Sequence, residues 1–286
     1  MKMREWFENH TLLTGIILVV IFSLTVGNIY VRLSNQIISD IGITGVTNVL
    51  LSISVRFLIS TLTLFLLIPY LFYRTPRNAE MYARELKFSQ GNSWKQTITI
   101  GFISFTIFAV VSGSILLALG IFTDDPFIFL KNPTGSTGGW LWLLVAINPA
   151  IFEEMAFRGV LFSTLEKEYT ERRVIWMTAV LFGLFHFTGL ANGETIIGVI
   201  LTAIMATTFA LSWGYMNVKT NSVVPSMIVH YFINALSEVF KANTTEDVLI
   251  LLQIIGITIL YPILSILAIK IIMKDNEQEV KNPPTA

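Results

Sequence analysis

Residues 139–165 read GWLWLLVAINPAIFEEMAFRGVLFSTL, and this stretch decides what kind of molecule the chain forms. It is long and apolar enough to cross a bilayer, whose hydrocarbon core of about 30 Å takes roughly 20 helical residues. Yet Glu153, Glu154 and Arg158 lie near its middle. An ionisable group there costs roughly 2.5–3.5 kcal/mol on insertion scales, so its presence marks a functional site by default. Two other apolar runs carry polar groups in the same way. Residues 174–190 contain His186, and residues 222–240 contain His230 and Asn234.

The rest of the chain fits this reading. Of its 286 residues 53% are hydrophobic and 13% charged, about half the charge of a soluble domain. A net charge of zero argues against nucleic acid as a partner. The absence of cysteine removes disulfides, thiolate metal sites and a thiol nucleophile. Residues 11–31, 49–73, 97–120, 195–218 and 248–273 supply five more runs of spanning length. The expected fold is therefore all-α: one polytopic membrane domain over residues 1–286, with about eight transmembrane helices around an intramembrane catalytic cavity. The first run is longer than a signal-peptide core and lacks a small-x-small cleavage site, so it is read as a retained span. The runs at 174–190 and 222–240 are short and polar-interrupted and need neighbours to cover them. Residues 74–96 read as an amphipathic connection on the inner surface, 126–139 as an outer loop, and 274–286 as a disordered cytoplasmic tail.

Charge sets the expected orientation. With the N-terminus inside, fourteen of the nineteen lysines and arginines fall on the inner side and three on the outer, which places both termini in the cytoplasm. At about 1.5 Å per residue, Glu153, His186 and Asn234 then each lie about 18 Å from the inner ends of their helices, and His230 about 12 Å. Three helices bring their polar groups to a common level.

Helical spacing orients them further. Glu154 and Arg158 stand at i, i+4 with the acid first, the favourable order for a pair. His230 and Asn234 have the same spacing. Glu153 is about 100° round the helix from Glu154, so the two carboxylates cannot face one partner. Glu153 shares a face with Ala146 and Ala150, and small residues mark close helix interfaces; it is placed inward, towards His186. Glu154 and Arg158 are assigned to an ion pair that holds the helix. Pro149 removes the donor to the Val145 carbonyl and predicts a kink one turn before Glu153. Trp140 and Trp142 read as interfacial anchors, and Arg56 as either a cavity residue or one that snorkels outward.

No Asp lies within a span, HExxH is absent, and no G-x-S-x-G surrounds Ser112 or Ser114, so the usual aspartyl, zinc-helix and serine routes to peptide hydrolysis are missing. A carboxylate and an imidazole can share and deprotonate one water, while an imidazole and an amide can donate to a developing oxyanion. The hypothesis is Glu153 as general base, His186 holding the water, and His230 with Asn234 as oxyanion donors. One Glu and two His could instead form a three-ligand zinc site from Glu153, His186 and His230. The preferred reading has no cofactor, with zinc as the alternative. The rival classes are a proton-coupled transporter, and a non-catalytic membrane scaffold or immunity protein. Neither predicts a peptide product that depends on Glu153.

FEEMAFRG (152–159), FGLFH (182–186) and HYFIN (230–234) resemble the EExxxR, FxxxH and HxxxN motifs of one family. This is the CAAX-processing and bacteriocin-processing family (CPBP, or Abi) of intramembrane endopeptidases. Order and residue identities all match, and the resemblance covers residues 140–240 as a catalytic core. It implies a cavity open to the inner leaflet, with Glu153 and His186 activating water and His230 and Asn234 in the oxyanion hole. Glu154, Arg158 and Phe182 are motif positions in supporting roles. Members have been described both as metalloproteases and as metal-independent glutamate proteases. The implied partners are a peptide or lipidated-protein substrate and membrane lipids, and the expected location is a prokaryotic plasma membrane.

Overall fold

In a bilayer each backbone N–H and C=O must find a partner within the protein, which leaves an apolar chain of this length little choice but helices. The structure, a computed structural model, describes residues 10–22, 45–72, 86–87, 94–133 and 139–281. Eight helical segments run through these residues. They are α1 (Thr11–Phe22), α2 (45–72), α3 (Trp94–Ala118), α4 (142–165), α5 (Glu171–Phe185), α6 (Ile196–Thr220), α7 (Val224–Ala235) and α8 (Asp247–Lys281). The expected amphipathic connection and the far end of the first run lie mostly outside the described residues, as do residues 282–286.

Contacts between helices show that successive segments alternate in direction. Thr11 donates to Glu168 at 2.6 Å, and Gly15 sits against Leu161 and Leu165, so α1 runs against α4. Asn148 bonds Ser60, and Ile68 lines a pocket with Ala156 and Phe157, so α2 runs with α4. Gly183 lies against Ala203 and Thr207, and Gly214 against Ile175, which makes α5 and α6 antiparallel. A Cβ on Gly183 would sit 1.9 Å from the Thr207 hydroxyl, so glycine is what lets these two helices approach. Gln96 meets Met273 and Ser104 meets Tyr261, setting α3 against α8. Asn217 bonds Ser226 and Trp213 stacks on His230, setting α6 against α7.

Five described helices are long and apolar enough to cross a membrane: Gly45–Tyr70, Trp94–Ala118, Glu171–Ala191, Ile196–Thr220 and Asp247–Lys274. The run expected to be short at 174–190 is among them, because it gains a turn at its start and continues as a 3-10 helix over His186–Asn192. Apolar side chains cover the outside, with Leu66, Leu117, Ile197 and Ile271 all more than half exposed, a surface that lipid rather than water would solvate. Hydroxyls within the helices satisfy themselves by bonding back one turn, as Thr178 does to Val174 and Thr220 to Met216.

The two segments that carry Glu153, Glu154, Arg158 and His230 depart from uniform α-helix. Segment α4 consists of Trp142–Val145, then Ile147–Glu154, a π-helix over Met155–Leu161, and Phe162–Leu165. The break at Ala146 sits where Pro149 leaves the Val145 carbonyl without a donor, as its position predicts. The π-helix was not foreseen; such widened turns recur at functional sites. Segment α7 has only 12 residues, followed by a 3-10 turn at Ser237–Phe240, rather than one helix over 222–240. Helix α8 runs on to Lys281, into the stretch expected to be a disordered tail, whose last residues lie outside the described ones. Glu, Gln and Lys are good helix formers and no breaker precedes Pro283.

Candidate active site

Arg158 is the largest fully buried side chain, 1% exposed, and the site is arranged around it. Its Nη1 donates to Glu154 Oε1 at 3.0 Å, the i, i+4 pair that the spacing predicts. Its guanidinium lies 4.3 Å from the centre of the Phe182 ring and 5.3 Å from that of Trp213. A buried cation stacked on two aromatic faces is stabilised by their ring quadrupoles as well as by its counter-ion. Glu154 has no exposed surface, and its Oε1 also accepts from His230 Nδ1 at 2.9 Å. The Ser226 hydroxyl lies beside the same carboxylate and receives a bond from Asn217.

This revises the expected division of labour. Glu154 is more than the partner of Arg158, because it also holds His230, 76 residues further along the chain. Nothing in the local spacing of either motif shows this contact, which depends on how α4 and α7 are rotated against each other. His230 is held on both sides: its ring stacks on Trp213 at 4.7 Å and meets the edge of Phe182 at 6.1 Å. With Nδ1 bonded to a carboxylate, Nε2 is the nitrogen left to face a substrate.

His186 starts the 3-10 turn at the end of α5, and its Nδ1 donates to the Phe182 carbonyl at 2.9 Å. A neutral His186 therefore presents an Nε2 that accepts. The charges acting on His186 include those of Glu153, His230 and Arg158, which brings three of the predicted residues into its neighbourhood. Phe182 packs on His186 at 5.0 Å, so one ring and its own carbonyl position both imidazoles and the arginine. The motif position given a supporting role thus touches His186, His230 and Arg158.

Glu153 points away from Glu154, as a 100° step requires. It is 7% exposed and its Oε1 lies 4.0 Å from Arg56 on α2. Arg56 is thus a cavity residue; its isolation within an apolar run was the signal for it. It also lines a cavity of about 120 Å³ with Asn48, Ser52 and Asn148, on the side of Glu153 towards the starts of α2 and α4.

Asn234 ends the constellation near the last turn of α7. Trp142 donates its indole N–H to the Asn234 carbonyl at 2.7 Å, and lies 3.2 Å from the Ser237 hydroxyl. Trp142 was read as an interfacial anchor; it is instead a brace between the start of α4 and the end of α7. A tryptophan near a helix end carries the same sequence signal in both roles.

Residues 135–236 match the family described as Rce1-like, type II CAAX prenyl endopeptidase. This segment resembles that family. It contains Glu153, Glu154, Arg158, Phe182, His186, His230 and Asn234, while α1 to α3 and α8 lie outside it. Comparison with curated proteins and with solved structures gives no match. That family is described as one of CAAX prenyl endopeptidases, and the likeness to it is confined to this segment, about a third of the chain. The zinc alternative can be compared with the geometry. Among the described residues no three His, Asp or Glu side chains are grouped so as to hold a metal ion. His230 and His186 each use Nδ1 within the protein, which leaves Nε2 available on both rings for a substrate or a metal, while Glu153 is turned towards Arg56.

Proposed function

We propose that this chain hydrolyses a peptide bond within the membrane by a metal-independent route, with Glu153 as general base and His186 as its partner in holding the water. The observation that supports it best is the contrast between the two carboxylates. Glu154 is engaged by Arg158 and His230, whereas Glu153 keeps some exposure beside His186 and Arg56. Of the two, Glu153 alone keeps exposed surface, 7% against none for Glu154.

The water gives a proton to Glu153 while its oxygen bonds to the scissile carbonyl carbon. The carbonyl π electrons move to oxygen, which His230 Nε2–H and the Asn234 amide stabilise. Collapse of this intermediate breaks the C–N bond, and the proton held by Glu153 passes to the departing amine. His230 can donate through Nε2 only as the imidazolium, since Nδ1–H already bonds Glu154. Glu154 is then its counter-ion, and Arg158 fixes Glu154 in place. The basic ends of the helices support a cytoplasmic position for both termini and an inner-leaflet entry for the substrate.

The test uses purified protein in liposomes with a membrane-tethered peptide, and mass spectrometry of the products. Wild type should give a defined cleavage that Glu153→Gln abolishes and a chelator leaves intact. A Glu153→Gln enzyme with normal turnover would sink the assignment, as would activity lost to chelator and restored by zinc. A transporter or scaffold would yield no Glu153-dependent product.

A further inference from the structure

A second concave feature lies at the opposite side of α6 from the imidazoles. It is a groove of about 440 Å³ between the start of α5, the end of α6 and residues 266–270 of α8. Three cations from three different helices converge on its mouth: Arg172 in the first turn of α5, Lys219 in the last turn of α6, and Lys270 on α8. Both lysines approach the Tyr215 ring, at 5.8 and 5.9 Å from its centre. Glu171 is the one acid in the lining. None of the three cations forms an ion pair with a described residue.

Behind this basic mouth the walls are apolar, with Leu211 and Ile266 on the two long helices and Trp176, 52% exposed, at the rim. A soluble anion would use the charges but not the walls, and an apolar chain would use the walls but not the charges. We propose that the groove binds an anionic phospholipid, its phosphate between Arg172, Lys219 and Lys270 with the Tyr215 hydroxyl as donor, and an acyl chain along Leu211 and Ile266. Basic pockets between membrane helices at the headgroup level bind such lipids, and an exposed tryptophan at that level suits the interface. Glu171 lies at the mouth, where it can pair with Arg172 or Lys219 when no phosphate is bound, and the lining keeps an excess of two positive charges. The site shares no residue with the proposed catalytic cluster.

The test uses the full chain in phosphatidylcholine nanodiscs, titrated with phosphatidylglycerol carrying brominated acyl chains, which quench indole fluorescence on contact. Subtracting the signal of Trp176→Phe isolates Trp176. Saturable quenching of Trp176 by brominated phosphatidylglycerol, and not by brominated phosphatidylcholine, is expected. At about fivefold per cation near an anionic headgroup, Arg172→Gln, Lys219→Gln and Lys270→Gln should each raise half-saturation roughly fivefold, and the triple variant about a hundredfold. Arg173→Gln, next in sequence but outside the groove, should change nothing. Equal quenching by both lipids, a triple variant that saturates like wild type, or displacement by inorganic phosphate at equal concentration would each overturn the proposal.

Discussion

Two neighbouring carboxylates occupy contrasting halves of the same site. Glu154 has no exposed surface, receives bonds from Arg158 at 3.0 Å and His230 at 2.9 Å, and faces the packed side where Phe182 and Trp213 sandwich the arginine. Glu153 faces the side of α2, with 9% of its side chain exposed and Arg56, which itself lines a cavity of about 120 Å³, 4.0 Å away. The difference teaches that one turn of one helix can hold one carboxylate rigidly and leave its neighbour, the proposed base, partly open. An ion locked among partners cannot accept a proton without losing those bonds, whereas one that keeps space beside it can exchange with water.

Four substitutions can break or sharpen that contrast. The largest effect is expected at Glu153→Gln, with turnover falling by about 10²–10⁴-fold, the usual contribution of a positioned general base, while thermal stability stays near wild type. Cleavage of a tethered peptide and a melting curve in the same detergent measure both. Glu154→Ala should show the reverse pattern. It leaves Arg158 buried without its counter-ion, a loss of about 3–5 kcal/mol, visible as a lower melting temperature and poor folded yield. If Glu154→Ala melted like wild type and Glu153→Gln unfolded, the assignment of anchor and base would be inverted.

Asn234→Ala comes next, with a fall of about 10²–10³-fold in turnover if its amide stabilises the oxyanion, and little change in substrate affinity. A rise in KM at constant turnover would move Asn234 from the transition state to substrate binding. The smallest effect is expected at Arg56→Gln. A partly exposed ion pair at this separation is worth about 0.2–1 kcal/mol, so activity should change by no more than about fivefold and depend on salt. A hundredfold loss would place Arg56 in direct contact with substrate.

Much of the site was legible from spacing because helices convert sequence intervals into directions. The Glu154–Arg158 pair follows from i, i+4, the divergence of Glu153 from Glu154 follows from 100° per residue, and the break near Pro149 follows from a missing N–H. The expected common level of Glu153, His186 and Asn234, with His230 somewhat nearer the inner end, came from rise per residue. Contacts between helices were not legible in this way. The His230–Glu154 bond, the Trp142 brace on Asn234 and the approach of Arg56 to Glu153 join residues 76, 92 and 97 positions apart. The π-helix at Met155–Leu161 is a further reason: it changes the angular step within α4, so a face computed at 3.6 residues per turn no longer applies past Leu161.

The amino-acid sequence alone determined the membrane class, the helical character and the set of residues able to do chemistry. Those follow from hydropathy, from the need to satisfy backbone groups locally, and from how costly it is to keep charge in an apolar run. Only the tertiary structure decided which carboxylate anchors and which stays open, how each imidazole is turned, and where three scattered cations meet. Those outcomes depend on the rotation and crossing of packed helices, which many distant side chains set together and no short interval of sequence encodes.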